Sequence, residues 1–109
     1  MKNDGPANRV FLLDPGDAVF FYMDNEIVRV RVENDTYWVN YHLGELEEAL
    51  HPRGFFRARR SSLVNLKRIR EIRPDPGGSF VLVMKDAKNS EIAVSERQGR
   101  ALRTRIPGL

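Results

Sequence analysis

The chain has 109 residues, which is enough for one hydrophobic core and too few for two ordinary domains. It contains no cysteine, so disulfides, thiolate nucleophiles and thiolate metal sites are excluded, and no apolar run approaches the roughly 18 residues of a membrane helix. The formal net charge of +3 is unevenly distributed: residues 9–52 carry −6, residues 53–73 carry +7 and residues 95–109 carry +3. Such polarisation steers a protein towards nucleic acid in one orientation, although a solvated basic face without a ligand would have the same composition.

The first eight residues are polar and include Gly5 and Pro6. Residues 1–8 are therefore predicted to be a disordered lead-in or the remnant of a linker, and residues 9–109 to be the folded domain. They lack the pattern of a secretory signal, and we expect a soluble protein of the cytoplasm.

The first half of the chain predicts short antiparallel strands separated by turns. Turn residues stand at Asp14-Pro15-Gly16-Asp17 and at Asn34-Asp35. Arg29 and Arg31 alternate with valines, so they are assigned to the exposed face of a half-buried strand. The strands are expected at Val10 to Leu13, at Ala18 to Met23, around Val28, Val30 and Val32, and at Tyr37 to Tyr41.

The second half predicts two helices and further strands. Leucines recur at helical spacing among glutamates, which predicts a short amphipathic helix over Leu43 to Leu50. Ser95 and Gln98 have the spacing of a capping box, so a helix should start after Ser95 and end before Pro107; Gly99 should weaken it. Strands are expected at Phe55 to Ala58, Ser62 to Asn65, Ile69 to Arg73, Phe80 to Lys85 and Ile92 to Val94. This pattern is typical of an all-β domain with helical additions, and it excludes Rossmann and P-loop architectures.

The sequence offers little catalytic or metal-binding chemistry. His42 and His51 are nine residues apart, a spacing that does not place both on one helical face, and no metal site is predicted. Ser61 and Ser62 lie among arginines without the glycine-flanked turn of a serine hydrolase. We therefore expect a protein that has no catalytic residues and needs no cofactor.

The basic segment also leaves RNA binding and the binding of an acidic partner open. Exposed aromatic rings on a sheet can stack on unpaired RNA bases. Most of the phenylalanines here stand in apolar strand runs and are expected in the core, whereas Trp38 is a candidate for exposure. The other alternative is a ligand-sensing or protein-interaction β-domain whose basic patch binds an acidic partner.

The basic segment carries a specific resemblance. Residues 56–65 read Phe-Arg-Ala-Arg-Arg-Ser-Ser-Leu-Val-Asn, and they stand between Leu43 to Leu50 and Ile92-Ala93-Val94-Ser95, with Ile69 and Ile72 following. In this order and spacing, over about residues 10–106, the chain resembles the LytTR family of bacterial DNA-binding domains. The resemblance implies an elongated fold of about three antiparallel sheets with one short internal helix and a short C-terminal helix. It also implies sequence-specific binding of double-stranded DNA by a transcriptional regulator, with loops in successive major grooves of a promoter-proximal direct repeat.

The resemblance further implies three DNA-contact loops. Base contacts are expected from Arg60 and Arg97, since arginine can bond O6 and N7 of guanine together. The first loop, at residues 24–27, contributes further base contacts from Asn25, Glu26 and Ile27. Phosphate contacts are expected from Arg57, Arg59, Ser61, Asn65, Lys67, Arg68 and Ser95. For Asn65 a structural hydrogen bond, and for Ser95 helix capping, are equally open.

Two residues depart from the family pattern. Arg59 stands where the family often has histidine, and Glu96 stands where it often has arginine. These two differences leave open a DNA-sequence preference that differs from that of relatives. The expected partners are duplex DNA, a receiver or sensor domain in a full-length protein, and a second copy paired on a direct repeat; the chain acting alone is the alternative. No membrane partner is expected.

Overall fold

The computed structural model describes residues 12–109. The expected lead-in at residues 1–8 and the first half of the expected strand at Val10 to Leu13 lie outside the described residues. Its remaining part forms no strand: Leu12 is 95% exposed and Leu13 is half-buried in the stretch before a short 3-10 turn at Pro15–Asp17.

Within the described residues the chain forms eight strands and two α-helices. The helices are α1 (Leu43–Leu50) and α2 (Glu96–Arg105). The strands are β1 (Phe20–Asp24), β2 (Ile27–Arg31), β3 (Thr36–Trp38), β4 (Phe55–Arg59), β5 (Ser62–Asn65), β6 (Ile69–Pro74), β7 (Phe80–Met84) and β8 (Glu91–Val94). The predictions for α1 and β5 are correct to the residue, and the other strands are confirmed with ends shifted by one to three residues.

The strands pair into two antiparallel sheets in the described part of the chain. One sheet has the order β3-β2-β1-β5-β4, and the other has the order β6-β7-β8. Because β1 pairs with β2 on one edge and with β5 on the other, it joins two hairpins into one sheet. The all-β class is confirmed, with two sheets where the resemblance implied about three.

The five-stranded sheet is covered on both faces. On one face, α1 packs its three leucines against alternate residues of the strands, including Phe21, Val30 and Leu63. On the other face, Phe56 and Val64 pack against the second sheet and α2. Each fully buried side chain of this size contributes about 1.5–3 kcal/mol, so the period-two pattern of the strands fixes which face each residue occupies.

A buried ion pair joins the two sheets. The Nε of Arg31 lies 3.5 Å from Oδ2 of Asp86, whose side chain is fully buried at the β7–β8 turn. Asp86 also accepts a hydrogen bond from the backbone N–H of Ser90 at 2.7 Å. The assignment of Arg31 to an exposed strand face is therefore wrong, because its strand face is the one that the second sheet covers.

Helix α2 begins as its sequence indicates. The Oγ of Ser95 accepts a hydrogen bond from the backbone N–H of Gln98 at 3.2 Å, which confirms the N-cap. Gly99 has a packing role beyond the predicted weakening: an added Cβ would lie 2.6 Å from the carbonyl oxygen of Gly78 and 3.2 Å from the Phe80 ring. A glycine at this position lets α2 approach the β6–β7 connection closely.

We expect Gly99→Ala to destabilise the domain by about 1–3 kcal/mol, because the new methyl group collides with a backbone oxygen. Gly44→Ala is the matched control, since a Cβ there meets nothing within 4 Å and alanine is the better helix former by up to about 1 kcal/mol. Urea unfolding of the two variants measures both changes. A Gly99→Ala variant as stable as the parent would contradict the close approach.

Candidate nucleic-acid interface

Two of the three expected loops lie side by side at one end of the five-stranded sheet. β1 and β5 are antiparallel neighbours in which Tyr22 pairs with Ser62. Beyond that pair, the backbone N–H of Met23 donates to the carbonyl oxygen of Ser61 at 3.1 Å. The β1–β2 turn and the β4–β5 turn are therefore held together by backbone hydrogen bonds.

The third expected loop meets the second across an open cleft. The cleft has a volume of about 510 Å³ and is bordered by the β4–β5 turn, the β6–β7 connection and the start of α2. Arg60 and Arg97 both line it, and both are exposed. The structure thus brings together the two arginines expected to read bases, with Arg59, Ser95 and Gln98 beside them.

The β1–β2 turn has a backbone that suits a tight hairpin. Asn25 and Glu26 are its two central residues, with φ of 49° and 68°. Two positive φ values are typical of a type I′ turn, whose twist matches that of the flanking strands. Both side chains are exposed, and Ile27 beside them is 45% exposed. The three residues expected to contact bases are therefore exposed together at this turn.

The β4–β5 turn is held by an arginine. The Nε of Arg57 donates to the carbonyl oxygens of Arg59 at 3.0 Å and Arg60 at 3.2 Å, and its Nη2 also donates to the carbonyl oxygen of Arg60. Its Nη1 donates to Oε1 of Glu47 on α1 at 2.9 Å. These contacts occupy the guanidinium that was expected to bind phosphate, and they assign it to the turn.

The third loop combines a helix cap with an exposed arginine. Ser95 is engaged in capping α2, so that its backbone turns at the edge of the cleft. Arg97 follows within the first turn of the helix, where unpaired backbone N–H groups and the helix dipole favour anions. Glu96 and Arg100 form an exposed ion pair at 3.4 Å, which contributes little to stability.

Three of the expected phosphate contacts lie elsewhere. Asn65 is 2% exposed; its Nδ2 donates to the carbonyl oxygen of Ala18 at 2.9 Å and its Oδ1 accepts from the N–H of Lys67 at 3.0 Å. Asn65 therefore makes the structural hydrogen bonds that were the alternative to a phosphate contact. Lys67 and Arg68 follow it at the end of β5 opposite the β4–β5 turn, and Arg68 bonds the carbonyl oxygen of Gly16 at 3.0 Å.

The described residues offer little support for a metal site or for stacking on RNA bases. Among residues 12–109, no group of three or more His, Cys, Asp or Glu is placed to hold a metal ion, and no helix has the length and apolarity to cross a membrane. The phenylalanine rings considered for stacking on RNA bases are at most 8% exposed: Phe20, Phe21, Phe55, Phe56 and Phe80. Tyr41 is 53% exposed. Trp38 is half-buried and makes contacts within the chain.

Comparison with known proteins adds to this geometry. The sensory transduction protein LytT of Oceanobacillus iheyensis is 32% identical over 102 residues, which are 93% of this chain and 42% of that protein. LytT of Bacillus subtilis is 30% identical over 94 residues, which are 86% of this chain and 38% of that protein. The chain thus spans less than half the length of either relative.

A solved LytTr DNA-binding domain from Bacillus cereus has the same fold. It superposes with a TM-score of 0.75 and 26% identity, covering 84% of this chain and 83% of that one. The family model of the LytTr DNA-binding domain matches residues 8–106, a span that contains both sheets, both helices and all three loops. This chain belongs to the LytTr DNA-binding domain family.

Proposed function

We propose that this domain binds duplex DNA sequence-specifically as the output domain of a bacterial transcriptional regulator. Its three loops would enter successive major grooves on one face of a promoter-proximal direct repeat. The observation that carries the proposal is the exposure of Arg60 and Arg97 on one cleft, in a chain of a DNA-binding family.

The dimensions of the domain support this mode of binding. Its longest extent is 46 Å, and its other extents are 27 and 25 Å. One turn of B-form DNA measures about 34 Å, so a body of this length can present loops to more than one groove. No recognition helix is needed for this, since turns at the end of a sheet reach base edges as well.

Each loop carries side chains suited to particular bases. Arg60 and Arg97 can each bond O6 and N7 of a guanine, so guanines at two separated positions are expected. In the first turn, Asn25 suits adenine, Glu26 can accept from cytosine N4, and Ile27 can contact a thymine methyl group. Each DNA site would therefore be contacted at three positions, one for each loop.

Contacts to phosphate complement these contacts to bases. Arg59 is exposed beside the β4–β5 turn and is the strongest candidate. Ser61 lies in the β4–β5 turn and Ser95 at the start of α2. Their hydroxyls can donate to phosphate in addition to their local roles. Such contacts fix the register of the protein on DNA without selecting a sequence.

The regulatory context follows from the relatives. Two of them are named sensory transduction proteins, and this chain corresponds to 42% and 38% of their lengths. We propose that a receiver or sensor domain accompanies this domain in a full-length cytoplasmic regulator, and that two copies bind side by side on a direct repeat. The domain itself would perform no catalysis.

We expect Arg60→Ala and Arg97→Ala each to weaken binding to the preferred site by about 1–3 kcal/mol and to relax the requirement for one guanine. The preferred site is obtained by selection from random duplexes, and fluorescence anisotropy then gives Kd for the site and its single-base variants. Arg53→Ala is a control, because Arg53 is exposed at the opposite end of β4. Equal losses on specific and random duplexes would show that the arginine contacts only phosphate.

We also expect the salt dependence of the DNA affinity to identify the side chains that contact phosphate. The slope of log K against log salt should be steep, and Arg59→Ala should reduce it by about one phosphate contact, or roughly 0.9, on every sequence. Lys67→Ala should leave the slope unchanged, because Lys67 lies at the far end of β5. A shallow slope for the parent chain would favour an acidic protein partner over DNA.

A further inference from the structure

We propose that Glu47 and Arg57 form a positioning pair that sets the backbone of the β4–β5 turn and thereby aims Arg60 at its base. An acidic residue on α1, outside the cleft, would then be required for sequence-specific binding. This inference rests on the proposed function, because it concerns how the same site discriminates between bases.

The β4–β5 turn needs support that the β1–β2 turn does not. Both connections place two residues between paired strand ends, Arg60 and Ser61 in this case. Of the non-glycine residues at 12–109, only Asn25, Glu26 and Asn89 have positive φ, so the β4–β5 turn is not of the primed type that matches strand twist. A register shift between Arg57 and Arg59 adds a bulge directly before the turn.

Arg57 supplies that support through backbone oxygens. Its Nε bonds the carbonyl oxygens of Arg59 and Arg60, at 3.0 and 3.2 Å, and its Nη2 bonds that of Arg60 again. These two carbonyls belong to the peptide planes on either side of the Arg60 Cα. Since the two planes determine the direction of the Cα–Cβ bond, fixing them fixes where the Arg60 side chain leaves the turn.

Glu47 in turn holds Arg57. Its Oε1 lies 2.9 Å from Nη1, and the two side chains are 40% and 23% exposed. An arginine fork can bond carbonyls along one edge and a carboxylate along another, which a lysine cannot do. Glu47 is itself anchored, because α1 is docked on the sheet by Leu43, Leu46 and Leu50. The position of α1 is thus transmitted to the turn through two side chains.

Because Glu47 is negatively charged, a positioning role and a purely electrostatic role predict opposite changes in DNA affinity when it is removed. If the residue contributed only its field, removing an acid from a DNA-binding protein would strengthen binding to any duplex. A positioning role predicts the opposite for the preferred site, because Arg57 loses its anchor and Arg60 its fixed direction. The quantity that separates the two is the ratio of Kd on random duplex to Kd on the selected site.

The experiment compares three variants that each remove one negative charge from α1. We expect Glu47→Ala to lower the ratio about fivefold to tenfold, as for the loss of a hydrogen bond to a charged group. Glu47→Gln should keep most of the ratio, since its amide oxygen still accepts from Arg57, and Glu48→Ala, at an exposed neighbouring position, should keep all of it. Anisotropy on both duplexes gives the ratio.

A second readout distinguishes aiming of the turn from general damage. In Glu47→Ala, discrimination should fall at the guanine assigned to Arg60 and persist at the guanine assigned to Arg97. Tm should fall by only a few degrees, because the ion pair is partly exposed. Equal ratios for Glu47→Ala and Glu48→Ala would overturn the inference, as would equal loss at both guanines. A parent chain without any preferred duplex would instead overturn the proposed function.

Discussion

The pairing of β1 with both β2 and β5 is the constraint on which the interface depends. It brings the ends of two hairpins together, with the N–H of Met23 bonded to the carbonyl oxygen of Ser61, so that two of the turns proposed to contact DNA share one edge. Register is set by burial on both faces: Phe20 enters one core cluster and Phe21 the other. A slip of one residue would exchange the two faces, so packing in the core fixes the spacing of loops at the surface.

The arginines of this chain divide into two groups according to their partners. Some bond within the fold: Arg31 pairs with buried Asp86, Arg57 holds the β4–β5 turn, and Arg68 bonds Gly16 and Asp17. Others, among them Arg60 and Arg97, extend from loops into the cleft. A high local charge therefore overstates the number of side chains available to DNA. In the proposed function, the specificity would come from the arginines on the loops.

Features with local causes could be predicted from the sequence. Leucine spacing gave α1 its bounds, Ser95 marked the start of α2, and turn residues separated the strands. The features that could not be predicted join segments distant in the chain. Asn65 bonds Ala18 across 47 residues, and Gly99 approaches Gly78 across the two strands β7 and β8. The sequence shows that a polar or small residue stands at such a position. Its role depends on its partner, which only the tertiary packing shows.

The central claim is that the three loops form one DNA-facing edge. A titration of the isotopically labelled domain with its selected duplex, followed by backbone amide NMR, tests it most directly. We expect the largest shifts at the amides of Asn25, Glu26, Arg60, Ser61 and Arg97, with small shifts at Lys67 and along α1. Largest shifts on the exposed face of α1, or at the end of β5 near Lys67, would contradict it.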